Sequence, residues 1–131
     1  MTILVDASAL ISLFSEKDQN HNIALNISRA LKNQSLLISN YIFAEVVTML
    51  SQRQGKTKSI SVGDYIKKNY ISLSVDVKTE DLAWEIFKAQ RSKNVSFVDC
   101  TSFALFKKGF YDKAFSFDAD FKKNKIPVLS A

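Results

Sequence analysis

The sequence predicts an α/β fold built on a mainly parallel sheet flanked by helices, and three observations carry that reading. The opening run Thr2-Ile3-Leu4-Val5 is apolar without alternation, the pattern of a strand buried on both faces. Further short apolar runs follow at Leu36-Leu37-Ile38, Ala114-Phe115-Ser116-Phe117 and Ile126-Pro127-Val128-Leu129. Stretches of helical periodicity separate them, and strands alternating with helices mark parallel crossovers. At 131 residues the chain is read as one domain, residues 1–131, able to bury about two-thirds of its unfolded surface.

Taken in order, the first strand stops abruptly at Asp6, and Leu10, Leu13 and Phe14 then recur at helical spacing over Ala7 to Phe14. Asp6 therefore lies where a strand's carboxyl end turns into a helix, the place where open α/β sheets bind ligands. The competing explanation is a helix cap at Asp6 or Ser8. Glu16 to Asn22 is polar and loop-like, and Ile23 to Lys32 continues as an amphipathic helix. His21, the single histidine, has no second histidine or cysteine nearby to complete a soft metal site. After the strand at Leu36–Ile38, Ser39 or Asn40 can cap a helix from Tyr41 to Arg53. Glu45 falls on the apolar side of that helix, with Ile42 three residues before and Met49 four after, and no Lys or Arg stands where it could neutralise it. A shared cation is the simplest way to settle a carboxylate there.

Gln54-Gly55-Lys56-Thr57-Lys58 reads as a polar basic connection leading to a short helix through Ile66. Ile71, Leu73, Val75 and Val77 alternate with other residues as in an edge strand, and Thr79 to Gln90 returns to helix with Thr79 as its cap. Glu80 and Asp81 suit the first turn of that helix and are assigned no chemistry. Ser96 to Phe106 is apolar enough for a core helix, yet carries Asp99 in its first turn. Ser96 and Asp99 match a capping box, so this stretch alone favours a cap over a reactive carboxylate. Lys107-Lys108-Gly109 ends the helix, and the strand at Ala114–Phe117 is closed by Asp118-Ala119-Asp120-Phe121.

Composition narrows the function. With 47% hydrophobic and 24% charged residues the chain resembles an ordinary soluble globule. The lone cysteine, Cys100, excludes an internal disulfide framework, fits a reducing, cytoplasmic compartment, and reads as a small core residue. Met1 to Phe14 lacks a basic leader and is interrupted by Asp6, and no apolar run approaches a membrane span. Eighteen basic residues face 13 acidic ones, a net charge of +5. If Asp6, Glu45, Asp99 and Asp118 share one pocket, the rest of the surface is far more basic still, which suits a phosphate-backbone polymer.

Each of those four acids sits at a strand-to-helix junction or on the inward side of a helix without an evident counter-ion, and that shared description outweighs the capping explanation for Asp99. Oxygen ligands without Cys or His select Mg²⁺ or Mn²⁺ over zinc. Two such ions about 4 Å apart can activate a water and stabilise the leaving oxygen of a phosphodiester.

Here the sequence resembles the PIN-domain nucleases, in particular the small ribonuclease toxins of VapC-type toxin-antitoxin pairs. The resemblance is carried by Leu4-Val5-Asp6-Ala7-Ser8-Ala9-Leu10, by Glu45 in the helix after the second strand, by Ser96-Phe97-Val98-Asp99, and by Ser116-Phe117-Asp118-Ala119-Asp120-Phe121. It implies a five-stranded parallel sheet in an α/β/α sandwich, with Asp6, Glu45, Asp99 and Asp118 as the catalytic, metal-binding set. It also implies Asp120 as an accessory carboxylate and Ser8 as a group that orients ligands or the attacking water. Ser116 stands where many members carry Thr, and Cys100 where Ala is frequent, and both departures leave the acidic set intact. Cleavage of RNA with Mg²⁺ or Mn²⁺ to a 5′-phosphate and a 3′-hydroxyl, a small antitoxin partner and a homodimer follow as what the resemblance implies. Candidate contacts to the RNA backbone are Arg53, Lys56, Lys58, Lys107, Lys108, Lys122, Lys123 and Lys125.

Three other readings are weaker. A phosphoacceptor receiver needs a paired aspartate after the first strand and a Lys closing the last, whereas Asp6 stands alone and Ser130 follows Val128-Leu129. A PIN-like module that binds RNA or protein without cutting would gain by discarding four mutually repelling carboxylates. A processing nuclease that is not a toxin shares the same chemistry and differs only in context.

Overall fold

The computed structural model describes residues 1–129 and shows four parallel strands flanked by seven helices. The elements run β1 (Thr2–Val5), α1 (Ala7–Leu13), α2 (His21–Ala30), β2 (Ser35–Ser39), α3 (Asn40–Gln54), α4 (Lys56–Asn69), β3 (Ile71–Leu73), α5 (Val77–Ala89), α6 (Phe97–Lys107), β4 (Lys113–Phe115) and α7 (Ala119–Lys123). The sheet order is β3-β2-β1-β4, with Leu4 beside Leu37 on one flank and Ala114 on the other. Ile3, Leu4 and Val5 are fully buried, as expected of a strand covered on both faces.

This order places the functional end of the molecule. From β1 the chain winds outward through β2 to β3 and then returns to the opposite side of β1 to lay down β4. The carboxyl ends of β1 and β4 therefore flank a point where the winding reverses, and such a point opens a crevice. Asp6 follows β1 directly, and its backbone N–H donates to the Phe115 carbonyl at 3.0 Å, so the two strand ends are tied side by side.

The expected fifth strand is reduced to a single parallel bridge between Ala114 and Val128. Ala114 N–H reaches the Pro127 carbonyl and Leu129 N–H the Ala114 carbonyl, both at 2.9 Å, so the segment lies against β4 in the anticipated place. Proline has no N–H to extend the ladder, which limits the pairing. Ser130, which bore on the receiver comparison, lies outside the described residues.

Two connections differ from the sequence reading. The basic connection at 54–58 is Gly55 alone, and Lys56 already opens the 14-residue helix α4. Gly55 has φ +95° and ψ 163°, a region that residues with a Cβ strongly avoid, so one glycine turns α3 into α4. No atom lies within 4 Å of where its Cβ would stand. Gly55→Ala is therefore expected to destabilise by about 1–3 kcal/mol through backbone strain alone, read as a lower denaturation midpoint with an unchanged m-value. The second difference is α5, which starts earlier than expected. Val77 is its first residue, and the cap is Asp76, whose Oδ1 accepts the Thr79 N–H at 2.8 Å. Thr79 is buried and receives a hydrogen bond from the Lys108 Nζ at 3.0 Å.

Helix α6 runs through the core. Cys100 to Leu105 are buried in unbroken succession, the mark of a helix enclosed all round. Phe103 meets Phe121 edge-on at 5.1 Å, which fixes α6 against α7. Cys100 is wholly buried, and desolvation followed by the neighbouring Asp99 charge pushes its thiol up to about 11, which agrees with its reading as a core residue.

Candidate active site

Asp6, Glu45, Asp99 and Asp118 line one pocket of about 420 Å³, together with Ser8, Ser12, Asp18, Asn20, Met49, Arg53, Asn94 and Ser96. Four separate pieces of chain supply the acids: the end of β1, the middle of α3, the first turn of α6 and the turn after β4. Among the described residues none of the four forms an ion pair with a Lys or Arg, since the two ion pairs found are Lys88–Glu85 and Lys108–Asp76.

Three of these carboxylates are anchored through one oxygen. The buried Asp6 takes hydrogen bonds on Oδ2 from Ser116 Oγ at 2.8 Å and from Ser8 Oγ at 2.9 Å. The two serines are held in turn, for Phe117 N–H donates to Ser8 Oγ and Asp118 N–H to Ser116 Oγ, both at 3.0 Å. Asp99 Oδ2 accepts the Ser96 N–H at 3.1 Å while Ser96 Oγ accepts the Asp99 N–H at 3.0 Å, a complete capping box. Asp118 caps α7 through Oδ1, which accepts the Asp120 N–H at 2.9 Å. Each of these three aspartates is thus held in orientation by hydrogen bonds to one of its oxygens. The helix cap posed by the sequence at Asp99 is present, and the same carboxylate also lines the acidic pocket, so capping does not remove it from the site.

The electrostatics are those of a site short of positive charge. Desolvation holds the Asp6 carboxyl above its ordinary range against the hydrogen bonds from Ser116 and Ser8. Desolvation pushes Asp99 up to about 7, helped by the charges of Asp6 and Asp118 and opposed by its bonds to Ser96. Glu45 is raised by burial and then by Asp6 and Asp118, and Asp118 by burial with the charge of Asp120 added. Burial and like charges both disfavour ionisation, and a cation relieves both. The donors are all oxygen, the set that fits a hard divalent ion. Among the described residues, Asp99, Asp118 and Asp120 are the one trio with carboxylate oxygens that all lie within 4.8 Å of one another, which places Asp120 beside two of the four acids although it does not line the pocket itself.

Glu45 makes no side-chain hydrogen bond among those found, unlike the three aspartates. Glu45→Gln is expected to weaken divalent-cation affinity about tenfold or more while leaving the fold intact. Titration calorimetry with Mn²⁺ checks this. A rise of several degrees in melting temperature with unchanged affinity would reduce Glu45 to a frustrated core residue.

The cationic candidates scatter. Arg53, in the last turn of α3, lines the acidic pocket. Lys58 lines an adjoining groove, Lys56 a separate one between α3 and α4, and Lys122 a shallow hollow beside Asp118. Lys123 acts on Asp118 through its charge. Lys107 is exposed at the end of α6, and Lys125 follows α7 with φ +64°. Lys108 is engaged elsewhere, bonded to Thr79 and 4.0 Å from Asp76, so it clamps α5 to α6.

The sequence reading missed Asp18, Asn20 and Asn94 in the pocket lining. Asp18 Oδ1 accepts Ser12 Oγ–H at 2.9 Å and the Asn20 N–H at 2.8 Å, and the His21 ring pairs with the Ser12 carbonyl at 2.8 Å. These are loop side chains without periodicity, and only the fold of the loop carries them to the pocket. Glu80, assigned only to the helix dipole, also accepts a hydrogen bond from Tyr41 Oη, linking α5 to α3.

Comparison with known proteins agrees with the fold. The PIN domain family model matches residues 3–127. The 23S rRNA-specific endonuclease VapC20 of Mycobacterium tuberculosis is 30% identical over 120 residues, covering 91% of each chain. The crystal structure of VapC20, described as a Sarcin-Ricin loop cleaving toxin, superposes with a TM-score of 0.90 at 26% identity, over 98% of this chain and 99% of that one. VapBC2 from Rickettsia felis, solved with a DNA fragment from its promoter, matches with a TM-score of 0.70 at 14% identity over 98% of each chain, which shows a shared fold. With the family model spanning nearly the whole chain and a relative 30% identical over 91% of it, the protein belongs to the PIN-domain family, among its VapC-type members.

Proposed function

We propose that this protein is a divalent-cation-dependent endoribonuclease acting on ribosomal RNA as the toxin of a VapC-type toxin-antitoxin pair. The observation that carries the reading is the convergence of Asp6, Glu45, Asp99 and Asp118 on one pocket, where none of them forms an ion pair among the described residues. Those four, with Asp120 beside Asp99 and Asp118, would hold Mg²⁺ or Mn²⁺. When bound, such an ion supplies Lewis acidity that lowers the pKa of water and offsets the charge on a phosphodiester.

The chain's own residues do the positioning. Ser8 and Ser116 clamp Asp6, Ser96 clamps Asp99, and the Asp120 N–H clamps Asp118, so the acids are oriented before any ligand arrives. Preset orientation is what in-line displacement at phosphorus requires, because misplacement of about 1 Å costs on the order of a hundredfold in rate. The identity to VapC20 along 91% of the chain supports large-subunit ribosomal RNA as substrate. Its likeness to proteins solved as VapBC assemblies supports an antitoxin partner, and a homodimer in the cytoplasm completes the proposal. Among the described residues no helix is long and apolar enough to cross a membrane.

The test is incubation of the purified protein with total RNA and Mg²⁺ or Mn²⁺, against an EDTA control. Discrete products, including cuts within 23S rRNA, are expected with metal and none with EDTA. RNA retained in a gel shift without metal-dependent products would identify a binding module and overturn the proposal.

A further inference from the structure

We infer that the groove beside the acidic pocket, between the α1–α2 loop and the α3–α4 hairpin, is the channel for the single-stranded RNA flanking the cleaved bond. This rests on the nuclease reading above and adds to it a path for the strand. The groove, about 650 Å³, is lined by Ile11, Phe14, Ser15, Glu16, Lys17, Asp18, Arg53, Gln54 and Lys58, of which Ile11, Asp18 and Arg53 also line the acidic pocket. The two cavities therefore adjoin, and Arg53 stands at their shared edge.

Charge and aromatic placement select the occupant. Arg53, Lys58 and Lys17 form no ion pair among the described residues. Glu45, Met49 and Arg53 lie four residues apart along one face of α3, and all line the pocket. Arg53 stands two turns beyond Glu45, about 12 Å along the helix, and the two form no ion pair among the described residues, so its guanidinium is available to a phosphate of the strand. The groove's two acids, Glu16 and Asp18, leave its three cations in excess, and Asp18 is turned to Ser12 and the Asn20 N–H through Oδ1. Phe14 adds an apolar ring to the wall, with the half-exposed Tyr65 edge-on to it at 5.6 Å. A cationic groove with an aromatic surface is the combination that tracks a single strand, phosphates on the cations and a base on the ring. The groove is preformed, because Gln54 Nε2 donates to Ser15 Oγ at 2.6 Å and joins its two walls.

The experiment measures anisotropy of a fluorescein-labelled ten-nucleotide RNA with the full chain carrying Asp99→Asn, in Mg²⁺, from 50 to 300 mM KCl. Arg53→Gln and Lys58→Gln are each expected to weaken binding several-fold at low salt and to lower the log–log salt slope by about 0.7, one single-strand phosphate contact. Phe14→Leu is expected to weaken binding about fivefold with the slope unchanged. Lys68→Gln, exposed on α4 away from the groove, serves as the control. Arg53 and Lys58 variants indistinguishable from that control would overturn the channel, even where the Asp99 form of the protein cuts RNA. Loss of affinity in those variants together with no cutting by the Asp99 form would instead uphold the channel and overturn the nuclease reading.

Discussion

Asp99→Asn is expected to lower the RNA cleavage rate by about a hundredfold or more, the scale of losing one electrostatic group from a phosphoryl or acyl transfer site, with the fold preserved. The substitution separates the capping that Asp99 performs from the catalytic role proposed for it. An asparagine Oδ1 can still accept the Ser96 N–H, so the capping box that starts α6 survives. What disappears is the negative charge on a half-buried group that Asp6 and Asp118 already push upward. Melting in EDTA at pH 8 is expected to show a variant at least as stable as the wild type, since one of several repelling charges has gone. Single-turnover cleavage in Mn²⁺ is expected to show the loss. Equal cutting by the variant would remove Asp99 from the catalytic set, and collapse of the fold would show that the cap, rather than the charge, was what mattered.

The second large effect is a pH-dependent stabilisation by divalent cation. The Asp99 carboxyl sits at about 7 in the folded protein against an ordinary 3.8, and Asp6, Glu45 and Asp118 are raised as well. A carboxyl whose folded pKa is raised binds more protons in the native state than in the unfolded one. Its contribution to stability is therefore complete below the unfolded value and is lost as pH rises through the folded one. Without metal, stability is expected to fall between about pH 4 and pH 7, the window set by the Asp99 values. A cation must displace those protons, so its affinity rises over the same range. At a hundred times its Kd a bound ion adds about 2.7 kcal/mol, several degrees of melting temperature for a domain of this size. Scanning calorimetry with Mg²⁺ or Mn²⁺ is expected to show that gain at pH 8 and little of it at pH 5.5. A metal-independent melting temperature at pH 8 would remove the cation from the site.

The acids were legible in the sequence for reasons that differ in kind. Asp6 and Asp118 each end an apolar strand run, so local pattern and the rule for open parallel sheets place them at the sheet's carboxyl edge. Glu45 was visible by a deficiency, an acid on an apolar helix face with no cation one turn away. Asp99 was ambiguous because its capping box is real, and local pattern cannot tell whether a capping carboxylate also faces a cavity. The α3–α4 turn was misread because a single glycine at φ +95° can do what a five-residue polar connection implied. The start of α5 was misread because Asp76 and Thr79 are both good caps, and the burial of Thr79 against Lys108 decides between them.

By itself the sequence determined the class of the fold and the strand-to-helix junctions, because periodicity, turns and caps are short-range properties that adjacent residues settle among themselves. The tertiary structure alone decided what the acids share. Ser116 clamps an aspartate 110 residues away, Asp18 and Asn94 enter the lining from loops, and Arg53 is set where two cavities meet. Such contacts arise from how β4 returns beside β1 and how α3 folds back on α4, and long-range packing of that kind leaves no periodic trace along the chain.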